Sequence, residues 1–397
     1  MDHKNKAVVL GTNYYIGLSV VRTLGKKGIH VITVNHDEYN NYGKSRYVKE
    51  ALIAPHYKYK EKKYLEFLID LAKNEPYKPV LYPTADPYVE FIDKYFYELK
   101  EYYLFPMNRK GFLTDIMDKE ELERIARDHN IRTPEIIESD DPDIIDRVQN
   151  ELGYPVILKP ADSPSFVKKY REKSFIIKNE EELKEKLDIT KKDGYEVFVQ
   201  RIVKGGESNN YNFDCYIDRF GNMASYMTEY KIRQWPINFG ASTYAAQKWI
   251  PDAYEFSKPF IDSIDFRGFI ELEMKRDEKN GLIYLIEANV RHVNFTELQI
   301  QCGFDTPYMV YLDTTEQSLE SFKPINYDTG KVWRYLYEDI SAMRAYERTG
   351  QKTRDEIAME NNRDDIVAST WAIDDPWPGI KFFFSVIFKR IRRIFSR

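Results

Sequence analysis

The chain has 397 residues, enough for two or three domains rather than one core. Apolar residues make up 43% and charged residues 31%, with Lys plus Arg at 59 against 64 Asp plus Glu, a formal charge of −5. That composition excludes a mainly disordered chain and disfavours a general nucleic-acid binder, which is usually basic. Cys215 and Cys302 make neither a disulfide framework nor a metal-binding set, and a reducing cytosol is expected. The opening residues lack a signal peptide's apolar region, and no run reaches 18 apolar residues.

In chain order, Ala7-Val8-Val9-Leu10 reads as a strand that stops at Gly11. Residues 16–24 have helical spacing, and His30 to Val34 reads as a second strand. Val80-Leu81-Tyr82-Pro83, a helix over Tyr88 to Leu99, and residues 102–106 continue the alternation of a doubly wound α/β domain, placed at 1–110. Gly11 and Gly17 are spaced G-x5-G, without the intermediate glycine of a dinucleotide site, so they read as a tight strand-to-helix turn. A charged helix over Asp118 to His129 opens the next region. It is followed by the strand Val156 to Pro160, a polar loop from Asp162 to Lys173, strands at 174–177 and 196–200, and a helix from Glu180 to Leu187. From 210 to 300 alternation dominates, as in Phe213 to Ile217, Phe269 to Met274 and Ile283 to Ala288.

Several separated pieces carry chemistry. Lys159 closes an apolar strand before Pro160, where a buried ammonium calls for an anionic partner. Gln200-Arg201-Ile202-Val203-Lys204-Gly205-Gly206-Glu207 is a strand running into a glycine pair and a carboxylate. Its backbone is suited to reading an adenine edge and its carboxylate to ribose hydroxyls, although most such stretches are turns. Glu271 and Glu273 share one strand face, and Glu287 and Asn289 share the face of a partner strand beyond the Asn280-Gly281 turn. Oxygen ligands presented in this way suit Mg²⁺, a hard cation shared between carboxylates and substrate phosphates; Mn²⁺ is the other candidate. Arg291, two residues past Asn289, is placed to meet negative charge there.

These pieces, with Asp118-Lys119, Lys159-Pro160, Gln200-x6-Glu207, Glu273 and Glu287-Ala-Asn289-Val-Arg291 in that order, resemble the ATP-grasp ligases over about residues 5–325. Pro83-Thr84-Ala85-Asp86, Lys159 to Ser163 and Gln234 to Gly240 look most like the D-aspartate-ligase-like carboxylate–amine ligases of envelope metabolism. The resemblance implies an α/β and α+β chain: an N-terminal doubly wound pre-ATP-grasp domain (1–110), then a two-lobed ATP-grasp fold. Its small lobe, or lid, would span 111–200 and its large lobe with the metal site 201–325, ahead of a C-terminal extension at 326–397. Lys119 and Lys159 would contact ATP phosphates, Gln200, Arg201 and Val203 would surround the adenine, and Glu207 would take the ribose. Glu273, Glu287 and Asn289 would carry Mg²⁺, with Glu271 the rival of Glu273, while Arg291 and Lys159 would act on the transferring phosphoryl group. The family often has glutamate where Gln200 stands and proline where Val290 stands.

Three residues are substrate candidates. Asp86 suits either a substrate amino group or the first turn of a helix before Pro87. Arg233, in a strand-like segment, is in reach of an acyl phosphate, and His292 either touches substrate or is a satisfied structural histidine. The expected reaction joins an amino-acid or other small carboxylate to an amine acceptor, on a cell-wall or surface-polymer precursor. A dipeptide-type ligase and a catalytically silent ATP-binding scaffold are the alternatives, and an oligomer is compatible with the sequence. Finally, Gly379 to Arg397 holds six basic residues and no acid, leaving −11 on the remainder, and Ile380, Phe383, Phe384, Ile387, Ile391 and Ile394 recur at helical spacing. A basic amphipathic helix over 379–397 suits the anionic inner face of a membrane, so the location expected is cytoplasmic and peripheral.

Overall fold

The computed structural model describes residues 3–12, 14–37, 44–161, 163–172, 174–238 and 240–395, with backbone alone at 163, 164, 387 and 389–395. Two units emerge: residues 1–129, 206–274 and 287–397 form the first, and 130–205 with 275–286 the second.

The first unit begins with a parallel sheet of β1 (Ala7–Leu10), β2 (Val31–Asn35), β3 (Val48–Ile53) and β4 (Val80–Pro83), in the order β3-β2-β1-β4. Strands β1 and β2 are buried throughout, as the unbroken apolar runs predict for strands covered on both faces. The order reverses between β1 and β4, the switch point at which open α/β sheets admit ligands at their carboxyl ends. The Gly11 and Gly17 pair is a packing device. A Cβ at Gly17 would stand 2.7 Å from the Gly11 carbonyl oxygen, and Gly11 itself has φ +80°. The helix over 88–99 is two helices, Asp86–Lys94 and Phe96–Lys100, broken at Tyr95. Residues 102–106 contribute one parallel bridge, Leu104 to Val80, rather than a strand.

A seven-stranded sheet forms the other layer, in the order β13-β12-β9-β10-β11-β14-β15. Its members are β9 (Asn210–Ile217), β10 (Met223–Trp235), β11 (Ala241–Gln247), β12 (Gly268–Arg276), β13 (Ile283–Asn289), β14 (Val332–Arg334) and β15 (Ile366–Ala368). Strands β14 and β15, in the stretch expected as a C-terminal extension, complete this sheet, and fully buried Trp333 stands in its core with Tyr15 and Phe295. Helices Pro251–Ser263 and Thr296–Cys302 interrupt the region read as mostly β.

The second unit has the sheet β5-β8-β6-β7, from β5 (Ile136–Glu138), β6 (Val156–Pro160), β7 (Phe175–Ile177) and β8 (Val197–Arg201). Its core gathers Val156, Leu158, Phe166, Ile177, Leu183 and Val199. The polar loop expected over 162–173 is largely a helix, Ser163–Tyr170; Asp162 and Lys173 lie outside the described residues. Phe166 explains the difference, because this one fully buried ring packs against Tyr170, Phe175 and Tyr195 and fixes the segment as a helix.

The C-terminal helix runs Trp377–Phe395. Phe382 packs on Tyr337 with ring centres 4.7 Å apart, whereas Phe383, Phe384 and Phe388 are exposed. The side chains of Ile387, Lys389, Arg390, Arg392, Arg393 and Arg397 lie outside the described residues. Just before the helix, buried Arg22 donates to the Asp375 carboxylate at 3.0 Å and to the Asp375 carbonyl at 2.8 Å, tying the tail to the first sheet's helix.

Candidate functional site

Strand alternation brings the hairpin carboxylates together as the spacing predicts. On β12 and β13 of the first unit, the Asn289 amide donates to Glu271 at 3.0 Å and reaches Glu273 at 3.5 Å. Asn212 of β9 supplies Glu271 with a second donor at 2.7 Å. Glu271 is thus enclosed by two amides, with a residue exposure of 2%, while the Glu273 side chain retains 26% and meets Lys231 of β10 at 2.7 Å. The Asn289 nitrogen being committed to Glu271 leaves its Oδ1 as the atom suited to a cation.

Burial opposes ionising Glu273, but the Lys231 ammonium, with Arg291 and Lys119, overcomes it and holds the carboxyl below its usual range. Glu287 is pushed up by burial and by the charge of Glu273, against the pull of Lys119, Lys231 and Arg291. A divalent cation would relieve that repulsion, and two carboxylates with a fixed amide oxygen are the hard ligands Mg²⁺ takes, so the residues fit it. Lys119 is exposed in the first turn of the helix Lys119–Asp128, which Asp118 caps by accepting from the amides of Glu120 and Glu121.

Arg291 binds Asp86 through Nε at 2.6 Å and Nη2 at 3.3 Å, a fork-to-carboxylate pair. Asp86 occupies the first turn of its helix, at the carboxyl end of β4, and its side chain keeps 47% exposure. The sequence reading considered each residue separately and missed their pairing, since 205 residues separate them. His292 is buried, its Nδ1 lies 3.3 Å from the Thr306 hydroxyl, and burial with the Arg291 charge drives its pKa down to about 3, so it is neutral. Arg233 is enclosed: Asp339 takes its Nε and Nη2, both at 2.7 Å, and Glu360 its Nη1 at 2.6 Å. Glu207 is half-buried and accepts from the Tyr346 hydroxyl at 2.8 Å.

In the second unit, Lys159 is half-buried rather than buried, and its ammonium donates to the Gln200 amide oxygen at 2.5 Å. A glutamine therefore meets the lysine where the family often has a glutamate. Arg201 directs its guanidinium away along the strand, to Glu135 and to the carbonyls of Leu152 and Glu151, leaving its backbone as the usable part. Val203 is buried.

Beneath Glu271 lies a cluster the sequence reading did not see: Asp214 (β9), Glu229 (β10) and Glu271, fully buried, with ligand oxygens within 4.8 Å of one another. Gln299 donates to Asp214 at 2.7 Å, and among the described residues no donor reaches the oxygens of Glu229, whose hydrogen-bonding neighbour is the Asp214 carboxyl itself. Burial, then the Asp214 charge, drives the Glu229 pKa upward, and burial raises Asp214 to about 6. The fold therefore favours the neutral form of Glu229 more than the unfolded chain does. Its folded pKa exceeds its unfolded one, so its contribution is intact at low pH and erodes as pH rises above the unfolded value. Glu229→Gln should match the parent's melting temperature near pH 4 and exceed it by about 2–5 °C at pH 8. Thermal unfolding at both pH values checks this; an equal loss at both would contradict it.

The sheets and the likeness to solved structures define an ATP-grasp fold, with a doubly wound pre-ATP-grasp domain before it in the chain. No family model matches the sequence. The chain is similar to D-aspartate ligase of Enterococcus faecium (strain Aus0004), 23% identical over 76% of each chain. Among solved structures it is similar to N5-carboxyaminoimidazole synthetase from Staphylococcus aureus, with a TM-score of 0.60 and 18% identity over 80% of this chain and 79% of that one. It is also similar to the biotin carboxylase domain of Hydrogenobacter thermophilus 2-oxoglutarate carboxylase, with MgADP, ADP and bicarbonate bound. There the TM-score is 0.61 and the identity 16%, over 83% and 74% of the two chains.

Proposed function

We propose that this chain is an ATP-dependent ligase that joins a small carboxylate to an amine through an acyl phosphate, releasing ADP and phosphate. The observation that carries the reading is the convergence of Glu273, Glu287 and Asn289 on one face, with Lys231 at 2.7 Å from Glu273 and Arg291 held by Asp86. Similarity to D-aspartate ligase and to nucleotide-bound ATP-grasp structures supports it. Lys119 and Lys159 take the phosphates, the Arg201 carbonyl and Val203 amide the adenine edge, and Glu207 the ribose. Glu273, Glu287 and Asn289 hold Mg²⁺, which when bound offsets phosphate charge.

A carboxylate does not react with an amine at neutral pH because its leaving group would be oxide. Transfer of the γ-phosphoryl group to the carboxylate oxygen makes an acyl phosphate; the amine then attacks the acyl carbon, the C–O bond breaks and phosphate leaves. Such transfer requires positioning and charge neutralisation rather than a nucleophilic side chain. Arg291 and Lys159 supply fixed positive charge where negative charge gathers, and Asp86 sets the plane of the Arg291 guanidinium. Purified protein given MgATP, hydroxylamine and a panel of D- and L-amino acids should yield a hydroxamate with stoichiometric ADP. Release of AMP, or an idle ATPase across the panel, would contradict the reading.

We place the acceptor on a cell-envelope precursor, with the C-terminal helix as the means of reaching it. Among the described residues no helix is long and apolar enough to cross a membrane, while Phe383, Phe384 and Phe388 are exposed beside a basic sequence. An amphipathic helix of that kind lies in the membrane interface, on the anionic cytoplasmic leaflet. Removing residues 383–397, which spares the Phe382 packing, should abolish sedimentation with anionic vesicles and leave hydroxamate formation unchanged. Undiminished vesicle binding would overturn the anchor.

A further inference from the structure

The first unit contains an apolar cavity of about 40 Å³, walled by Leu81, Tyr82, Phe105, Met107, Phe269 and Val290. Arg291 also lines it, and that residue interacts electrostatically with Glu271 and Glu287, so the cavity adjoins the cationic edge of the candidate site. His292, another wall residue, stacks on Tyr82 and Phe269 with ring centres 6.1 and 6.0 Å away. Being neutral and bonded to Thr306, it adds no charge to the wall. Arg267, the other cation there, is paired with Asp265 at 2.8 Å and donates to the Phe266 carbonyl. An apolar cavity of this size exceeds the space of one water and suits a group of roughly one or two carbons, since about 150 Å³ is needed for a benzene ring.

We propose that this cavity is the side-chain pocket for the activated acid, and that the acid is an α-amino acid with a short, uncharged, apolar side chain. The inference rests on the ligase reading above and names its substrate class. The substrate carboxylate lies at Arg291, its ammonium near the half-exposed Asp86 carboxylate, and its alkyl group among Tyr82, Phe105 and Phe269. A second carboxylate, as in aspartate, would enter an apolar wall without a free cation opposite it, and an ionised group there is strongly disfavoured. Discrimination against a missing or misplaced group in such a pocket amounts to about 10–200-fold per methylene and more for a charge.

The test measures kcat/KM for hydroxamate formation with glycine, alanine, 2-aminobutyrate, valine, leucine, aspartate and glutamate, each as both enantiomers. An optimum at a one- or two-carbon alkyl side chain, alanine or 2-aminobutyrate, at least 100-fold above aspartate, is expected. Met107→Phe, which fills the cavity from one wall, should cut activity on the preferred acid at least 10-fold while glycine changes less than 3-fold. A preference for aspartate or glutamate would overturn the pocket and leave the ligase reading standing. No hydroxamate with any acid, from a protein that still binds MgATP, would overturn both. If Met107→Phe unfolds, the parent's own profile decides: equal activity with every uncharged acid regardless of side-chain length would also overturn the pocket.

Discussion

Glu287→Gln is expected to reduce MgATP-dependent turnover to background while leaving the fold and nucleotide affinity nearly intact. The half-buried carboxylate on β13 is pushed toward protonation by desolvation and by the charge of Glu273, a repulsion that a bound cation would relieve. An amide of the same shape relieves the repulsion and removes one of the two charges that hold a divalent ion. The folded variant should be at least as stable as the parent, because an ill-placed charge is gone. Turnover in MgATP and Mg²⁺ titration of the ADP complex check this together; normal turnover would remove Glu287 from the metal set. A structural role alone would lower stability without changing Mg²⁺ dependence.

Arg291→Lys should lower kcat about 10²–10³-fold with a much smaller change in KM for ATP. Lysine keeps the charge but loses the fork that meets both oxygens of Asp86, at 2.6 and 3.3 Å. Its ammonium is a point charge on a flexible stem, free to lie on the carboxylate rather than face the reacting oxygens. Asp86→Asn should give a milder loss of the same kind, since Asp86 positions the guanidinium from the end of β4. Steady-state kinetics of the pair separates the roles: turnover near the parent's in Arg291→Lys would mean that charge alone, and not orientation, governs the step.

Much of the site was legible because strand alternation is local. Glu271, Glu273, Glu287 and Asn289 are two residues apart in pairs, so their common face follows from the backbone's period of two. What was not legible required tertiary pairing. The Arg291–Asp86 contact joins the first sheet to the end of β13, and no local signal reports it. The Asp214, Glu229 and Glu271 cluster draws one residue from each of three strands, and only β9–β10 register, with Asn212 opposite Glu229, puts the first two on neighbouring strands. The resemblance put Glu273 ahead of its rival Glu271; in the fold burial distinguishes them, since Asn212 and Asn289 enclose Glu271 while the Glu273 side chain stays partly accessible.

The fold shows the same division. Strands β1 and β2 were plain from continuous apolar runs, but β3 alternates half-buried and exposed positions and carries Lys49 and Glu50, so it lacks that signal. The helix Ser163–Tyr170 was hidden in a polar stretch because its single deep anchor, Phe166, has no apolar partner at helical spacing other than Tyr170. Arg233 followed the strand pattern, yet its two carboxylate partners, Asp339 and Glu360, lie more than a hundred residues downstream. They commit the guanidinium to the fold's interior.

The acyl phosphate is the centre of the account, and isotope transfer reads it directly. The preferred acid, labelled with ¹⁸O in both carboxylate oxygens, is turned over with MgATP and hydroxylamine, and the released phosphate is analysed by mass. One ¹⁸O atom per phosphate is predicted, because the oxygen that accepts the phosphoryl group leaves with it. Unlabelled phosphate beside a labelled hydroxamate, or label in AMP, would contradict the account.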